Sequence, residues 1–294
     1  MRKQLYYIMK MLKNKILSYL FFVVIIISGC TEEINLELDS TYTRLVVEGK
    51  ITTDTTVHTI ILSKSTDAVG KNPIEYISNA HVTVSDGDST IILHENPNKK
   101  GYYETDSNYY AIVGKTYTLT ITNVDINNDG ISETFTASSL TKEFFRLDSV
   151  KIFPFQQNSK QHSGKIISVF GQDPGGKNYY MFNVFKNNNL SIREYIIGDN
   201  SGAEGQYINN APIDLVFDKN PERIMNSDTI KVEACNITKE YYDYINGCIN
   251  EYKKNPIFSG PSSNVITNIQ PSDKAVGFFS TYSVSRKNVI FLSK

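Results

Sequence analysis

Three cysteines, four histidines and one oxygen-rich loop are the groups in this chain whose types and spacing suit chemistry. Cys30 has the clearest context. Arg2, Lys3, Lys10, Lys13 and Lys15 precede an apolar run from Leu20 to Ile27, and the small residues Ser28 and Gly29 come directly after it. A positive segment, a short apolar segment and small residues before a cut are the layout of a secretory signal. The run is shorter than the roughly 20 apolar residues that a membrane-spanning helix needs. Ile27-Ser28-Gly29-Cys30 resembles a lipobox, in which small residues fit the signal peptidase and the cysteine thiol carries a diacylglycerol. Residues 1–29 therefore read as a signal peptide, Cys30 as the lipidated N-terminus, and residues 30–40 as a lipidated tether.

The other two cysteines, Cys235 and Cys248, lie in a compartment permissive for disulfides once the chain is exported. Cys235 closes the strand-like run DTIKVEAC and Cys248 lies on the helical stretch after it. A disulfide between them requires the helix to fold back over that strand, and free thiols are the stronger reading, with the Cys235–Cys248 disulfide the alternative. Two sulfurs without a ligand-spaced histidine are too few for zinc. Asp125, Asn127, Asp129 and Gly130 in DINNDG copy the first half of a calcium loop, with oxygen ligands at alternate positions and a glycine where the chain must curl. Position twelve of that pattern, which should be glutamate, is Thr136, and the flanks read as strands. A hairpin loop rich in turn-forming residues is the stronger reading, with calcium at Asp125, Asn127 and Asp129 the weaker alternative. His58, His81, His94 and His162 sit singly in different segments, and no GxSxG elbow, phosphate loop, GxGxxG turn or HExxH helix occurs. The expectation is a protein with no cofactor and no catalytic residues.

Charge excludes one further class. The signal takes five of the 30 Lys and Arg, leaving 25 against 31 Asp and Glu, a balance of minus six. Such a body has no basic patch for nucleic acid and no polybasic support for a membrane surface. Attachment falls to the lipid, whose several acyl chains meet the need for more than one hydrophobic signal.

The elements that must position these groups are mostly strands. TRLVVEGKIT, HTIILSKST, AHVTVSDG, STIILHE, GYYETD, TYTLTITNV and SETFTAS alternate apolar and polar residues or are rich in β-branched and aromatic types. Seven short strands with turn signals between them predict an antiparallel β-sandwich over residues 41–142. The strand pattern resumes in KIISVFGQD, NYYMFNVFK, LSIREYIIG, IDLVFDK and TIKVEAC, which predicts a second β-rich domain over 143–294. One helix is expected near 238–254, where Tyr241, Tyr244, Ile245, Cys248, Ile249 and Tyr252 recur at steps of three and four. Thr238 suits its N-cap and Pro256 its end. A Pro- and Ser-containing loop then leads into two final strands.

Tyrosine and phenylalanine often come in pairs: Tyr102-Tyr103, Tyr109-Tyr110, Phe144-Phe145, Tyr179-Tyr180, Tyr241-Tyr242 and Phe278-Phe279. On a strand one member points in and the other out. The outer ring is then available to a ligand, an interface or a neighbouring loop.

Val46-Val47-Glu48-Gly49-Lys50-Ile51, Asn79-Ala80-His81-Val82-Thr83-Val84, Gly101-Tyr102-Tyr103 and Gly114-Lys115-Thr116-Tyr117-Thr118-Leu119 resemble the first half of a Bacteroidota lipoprotein family, domain of unknown function 4249. Asp173-Pro174-Gly175-Gly176-Lys177-Asn178-Tyr179-Tyr180, the helix at Tyr241 to Tyr252, Asn255-Pro256 and Gly277-Phe278-Phe279 are similar to its second half. One departure is QPSDKAVGFF, where the family tends toward a more glycine-rich approach to the final aromatic strand. The resemblance implies an outer-membrane lipoprotein, exposed at the cell surface and working beside a TonB-dependent β-barrel receptor in nutrient capture or uptake. It also implies a transthyretin-like or immunoglobulin-like first domain, and it brings no catalytic or binding residues to transfer. Thr31-Glu32-Glu33 looks like the short acidic signal that sends such lipoproteins to the cell exterior. The alternative function is a structural or adhesive surface lipoprotein that contacts glycan or protein.

Overall fold

Strict alternation of apolar and polar side chains sets the first half of the chain. In Leu45–Thr52 (β1) Leu45 and Val47 are buried while Glu48 is exposed, and Thr116–Val124 (β6) buries Tyr117, Leu119 and Ile121 between threonines. Between them come Thr59–Lys64 (β2), His81–Ser85 (β3), Thr90–Glu95 (β4) and Tyr102–Glu104 (β5), and Glu133–Leu140 (β7) comes next. These seven strands fall on the seven segments expected. The structure is a computed structural model and describes residues 43–65, 73–156, 163–190, 196–253 and 265–292. The signal peptide, Cys30, the tether to residue 40 and His162 lie outside the described residues.

The second half continues with Arg146–Gln156 (β8), Ser163–Gln172 (β9), Tyr179–Lys186 (β10), Asn189–Leu190 (β11), Ile196–Asp199 (β12), Tyr207–Phe217 (β13) and Thr229–Ile237 (β14). Lys239–Tyr252 (α1) and Ala275–Ile290 (β15) complete it. The protein is mainly β, with pairings that are antiparallel except for β1 against β15.

A sheet of 12 strands runs β11-β10-β14-β15-β1-β2-β5-β4-β3-β6-β7, with β12 also on β10; a second sheet has the order β13-β9-β8. Apolar residues of β1, β2 and β5 share one core with those of β3, β6 and β7, so the long sheet turns over on itself in a sandwich-like arrangement. Tyr103, Tyr117, Phe135 and Phe279 are its largest fully buried side chains. Burying one such side chain contributes about 1.5–3 kcal/mol. A second core lies between β8-β9-β13 and the inner faces of β10 and β14, through Val150, Ile167, Val169, Phe182 and Val232. The opposite faces of the same two strands carry Met181, Cys235 and Ile237, which pack under Ile245 of α1. Period-two alternation thus lets one pair of strands serve two cores.

Residues 41–142 and 143–294 keep largely separate apolar clusters, but Thr41–Lys294 form one compact unit. The link is β15. It runs parallel to β1 from Ala275 to Tyr282 and antiparallel to β14 from Ser283 to Ile290. Here the structure corrects the expectation of two final strands: β15 is a single strand of 16 residues. Ser285-Arg286-Lys287-Asn288 has no turn-forming residue in the left-handed region, and β14 offers a pairing partner along its length. Arg286 secures the crossing. Its Nε donates to Glu233 Oε1 at 2.8 Å and its Nη1 to Asp54 Oδ1 at 2.6 Å.

Gly277 lies opposite Val47 where β15 runs close against β1. Its φ is +91°, and a Cβ there would sit 2.1 Å from the Val47 carbonyl oxygen. Only glycine permits both the dihedral and the approach.

Candidate functional site

The segment Asp173-Pro174-Gly175-Gly176-Lys177-Asn178 turns the chain from β9 into β10 around a buried polar knot. Asp173 Oδ1 accepts from the backbone N–H groups of Gly175 and Gly205, each at 2.8 Å. Its Oδ2 accepts from Asn200 Nδ2 at 3.0 Å and from the Tyr180 hydroxyl. Burial alone would raise the Asp173 carboxyl, but the hydrogen bonds from Tyr180, Gly205, Gly175 and Asn200 outweigh it and hold the group below its ordinary value. Burial and the same short contact push the Tyr180 phenol well upward. Asn178 Nδ2 donates to the Gly175 and Gly176 carbonyls at 2.7 and 3.1 Å, and its Oδ1 accepts from Asn236 Nδ2 at 3.0 Å. Asn236 reaches on to the Glu143 carbonyl at 2.8 Å, tying the knot to the chain after β7.

This knot fixes Lys177 and Tyr179 on the rim and wall of a groove of about 500 Å³. The facing wall is the end of β7 and the chain just beyond it, with Ser138, Ser139, Leu140 and Lys142. Phe278 of β15, Asn268, and Thr238, Lys239 and Glu240 at the start of α1 complete the lining. Local rules place each wall. Thr238 caps the helix, its hydroxyl accepting from the Tyr241 N–H at 3.2 Å. Asn268 binds the β15 backbone at Phe279 in both directions, at 2.8 and 3.0 Å, and so braces the lining. Phe278 is wedged beneath Tyr241 and Tyr244, with ring centroids 5.1 and 5.0 Å away.

Three lysines from separate segments of the chain line it: Lys142, Lys177 and Lys239. Lys177 pairs with Asp199 at 3.3 Å and also donates to Ser201; Lys239 pairs with Asp243 one helical turn on. Lys142 has no hydrogen-bond or ion-pair partner among the described residues. Glu240 is the one acidic side chain in the lining. Exposed ion pairs contribute about 0–1 kcal/mol each, so the Asp199 and Asp243 partners exchange readily for another anion.

The residues singled out in the sequence are otherwise scattered. Cys235 and Cys248 are both free thiols, which corrects the disulfide alternative. Cys235 is fully buried beneath α1, whereas Cys248, one turn after Tyr244, is only half-buried on the helix. Burial pushes both thiols upward, which keeps them protonated. Asp125, Asn127 and Asp129 form the β6–β7 hairpin loop, and their oxygens are turned on the loop itself. Asp125 accepts from the N–H groups of Asp129 and Gly130 at 3.1 and 2.8 Å, and Asp129 from Ile131 at 2.8 Å. That is the turn reading with a mechanism, since the carboxylates close the bend and are not gathered on a common point.

The aromatic pairs divide only in part. Tyr103, Phe145 and Tyr180 are buried beside less buried partners, and Tyr110 and Phe144 are exposed. Phe278 and Phe279, however, are both buried, because β15 is covered by α1 on one face and by the first core on the other, and Tyr241-Tyr242 lies on the helix. His81 and His94 lie exposed on β3 and β4. His58 is buried, its Nε2 donating to the Asp54 carbonyl at 3.1 Å and its ring edge-on to Tyr109. Burial lowers its pKa from the ordinary 6.5, more than its hydrogen bonds raise it. The unfolded chain therefore takes up a proton from about pH 6.5 downward while folded His58 stays neutral, and stability falls as pH drops through that window. We expect the urea midpoint of the wild type to fall more between pH 7 and pH 5 than that of His58→Gln. Parallel curves for the two proteins would refute this assignment.

Sequence reasoning did not find the groove. Lys142, Lys177 and Lys239 are far apart in the chain and carry no local pattern; the one signal was the DPGGKNYY segment, read only as a resemblance.

Fold and groove together define a mainly β, sandwich-like protein built around a shared last strand, with an open lysine-lined cleft where its two apolar regions meet. The chain belongs to the family described as domain of unknown function (DUF4249), whose model matches residues 31–288. No curated protein matches it.

Proposed function

We propose that this is a lipid-anchored protein of the outer membrane, exposed at the cell surface, which serves a TonB-dependent β-barrel receptor as a non-enzymatic accessory in nutrient capture or uptake. The observation that carries the reading is the lipobox, Ile27 to Cys30, placed behind a short apolar signal and directly ahead of the matched family region. The acidic Thr31-Glu32-Glu33 after Cys30 suits surface display. The open groove supports a role in holding a small molecule, because its volume lies within the roughly 300–1,000 Å³ common for ligand sites.

Affinity purification of C-terminally tagged protein from native membranes, coupled to mass spectrometry, is the test. Recovery of a stoichiometric β-barrel receptor is the expected result. A lipoprotein recovered alone would replace this reading with that of a structural or adhesive surface protein.

A further inference from the structure

We propose that the groove between the end of β7, the β9–β10 turn and the start of α1 binds an acidic saccharide, with Lys142, Lys177 and Lys239 facing its carboxylates. The proposal deepens the capture role and rests on it for its purpose, while the binding itself is a property of this chain alone.

The charge argument comes first. The chain from Cys30 onward carries a balance of minus six, yet the groove lining holds three lysines against Glu240. Three lysines lining one cleft of an otherwise acidic body, two of them held only in exposed ion pairs with Asp199 and Asp243, favour an anionic ligand over a cationic one. Lys142 has no partner among the described residues, and the counterions of Lys177 and Lys239, Asp199 and Asp243, stand outside the lining on exposed side chains. The carboxylates of a ligand can replace Asp199 and Asp243 as partners without stranding a buried charge, because both are exposed.

Shape and the remaining lining select the body that bears the carboxylates. Leu140 and Tyr179 give the walls apolar surface of the kind that packs on the C–H face of a sugar ring, and Ser138 adds a hydroxyl at the rim. About 500 Å³ accommodates two to three sugar residues rather than a simple inorganic ion. The anchoring of Lys177 and Tyr179 by the Asp173 and Asn178 hydrogen bonds means that the wall is formed before a ligand arrives, which limits the ordering cost of binding.

The test is calorimetric titration of full-length, detergent-solubilised protein with trigalacturonic acid, with a neutral glucose trisaccharide and with tetraglutamate. The proposal expects the acidic trisaccharide to bind at least about tenfold more tightly than either of the others, a difference of about 1.4 kcal/mol. Binding should weaken as salt rises. The variant Lys142→Gln/Lys177→Gln/Lys239→Gln, changed only at side chains on the surface of the groove, should keep the wild-type circular dichroism and lose at least about tenfold in affinity, the scale of one charge-assisted hydrogen bond. No binding of the acidic trisaccharide, equal binding of the neutral one, or undiminished binding in the variant overturns the site. Tighter binding of tetraglutamate overturns the saccharide and makes the groove a peptide site. A receptor recovered from membranes alongside failed titrations removes this site and leaves the accessory role standing; the reverse result keeps the site and removes the receptor.

Discussion

Cys30→Ser is expected to move the protein from the membrane fraction to the soluble fraction almost completely, if Cys30 is the proposed lipid anchor. The body's charge balance is minus six, and no helix among the described residues is long and apolar enough to cross a membrane. Acyl chains contribute about 0.8 kcal/mol per buried CH₂, so removing them removes most of the attachment free energy in a single step. Fractionation combined with metabolic labelling by an alkyne fatty acid reads both parts of the prediction. A Cys30→Ser protein that still pellets with membranes, or still takes up label, would show that the thiol is not the anchor.

The second large effect is on folding. Gly277→Ala is expected to destabilise the protein by about 3–5 kcal/mol, at the severe end for a single substitution. Two penalties combine at that position. The left-handed dihedral costs an L-residue about 1–2 kcal/mol, and the new methyl group would meet the Val47 carbonyl at 2.1 Å, forcing β1 and β15 apart. Gly114→Ala is the control, because Gly114 has a similar φ of +84° with nothing within 4 Å of the added carbon. It should cost only the dihedral term. Urea midpoints of the two variants separate the penalties. If Gly277→Ala is no worse than Gly114→Ala, the close parallel contact is not what the glycine serves.

The strands were legible in the sequence because burial on one face imposes period two, and β1, β6 and β7 show it almost without exception. The helix was legible for the same kind of reason, and its Thr238 cap and the inward face at Tyr241, Tyr244, Ile245 and Ile249 are as expected, whereas Tyr252, expected on that face, is 93% exposed because it stands in the last turn, beyond the apolar patch that the helix covers. Pairing was not legible. Nothing local in AVGFFSTYSVSRKNVI says that its first part will lie parallel to β1 and its second antiparallel to β14, since register depends on partners remote in the chain. The groove failed for a related reason. Lysines on a polar surface read as solvated charges one at a time, and only the polar knot around Asp173 and the crossing at β15 bring Lys142, Lys177 and Lys239 onto one cleft. The state of the thiols was legible only as a choice between two readings: the helix does fold back over β14, as a disulfide would require, but the α1 face that covers Cys235 is led by Ile245, which leaves Cys248 beside Tyr244.

The position of β15 also sets an order of events. Leu45 finds its parallel neighbour at Ala275, close to the far end of the chain, so the first strand of the body must wait for the last. Contacts of such long separation fold slowly, because the loop must close before they reward it. A chain emerging N-terminus first would hold β1 with an open edge until its final residues arrive. If the chain is exported through a narrow channel, as proposed, that delay is useful: the strand that links both apolar regions is the last to become available, so the chain stays threadable for as long as threading lasts.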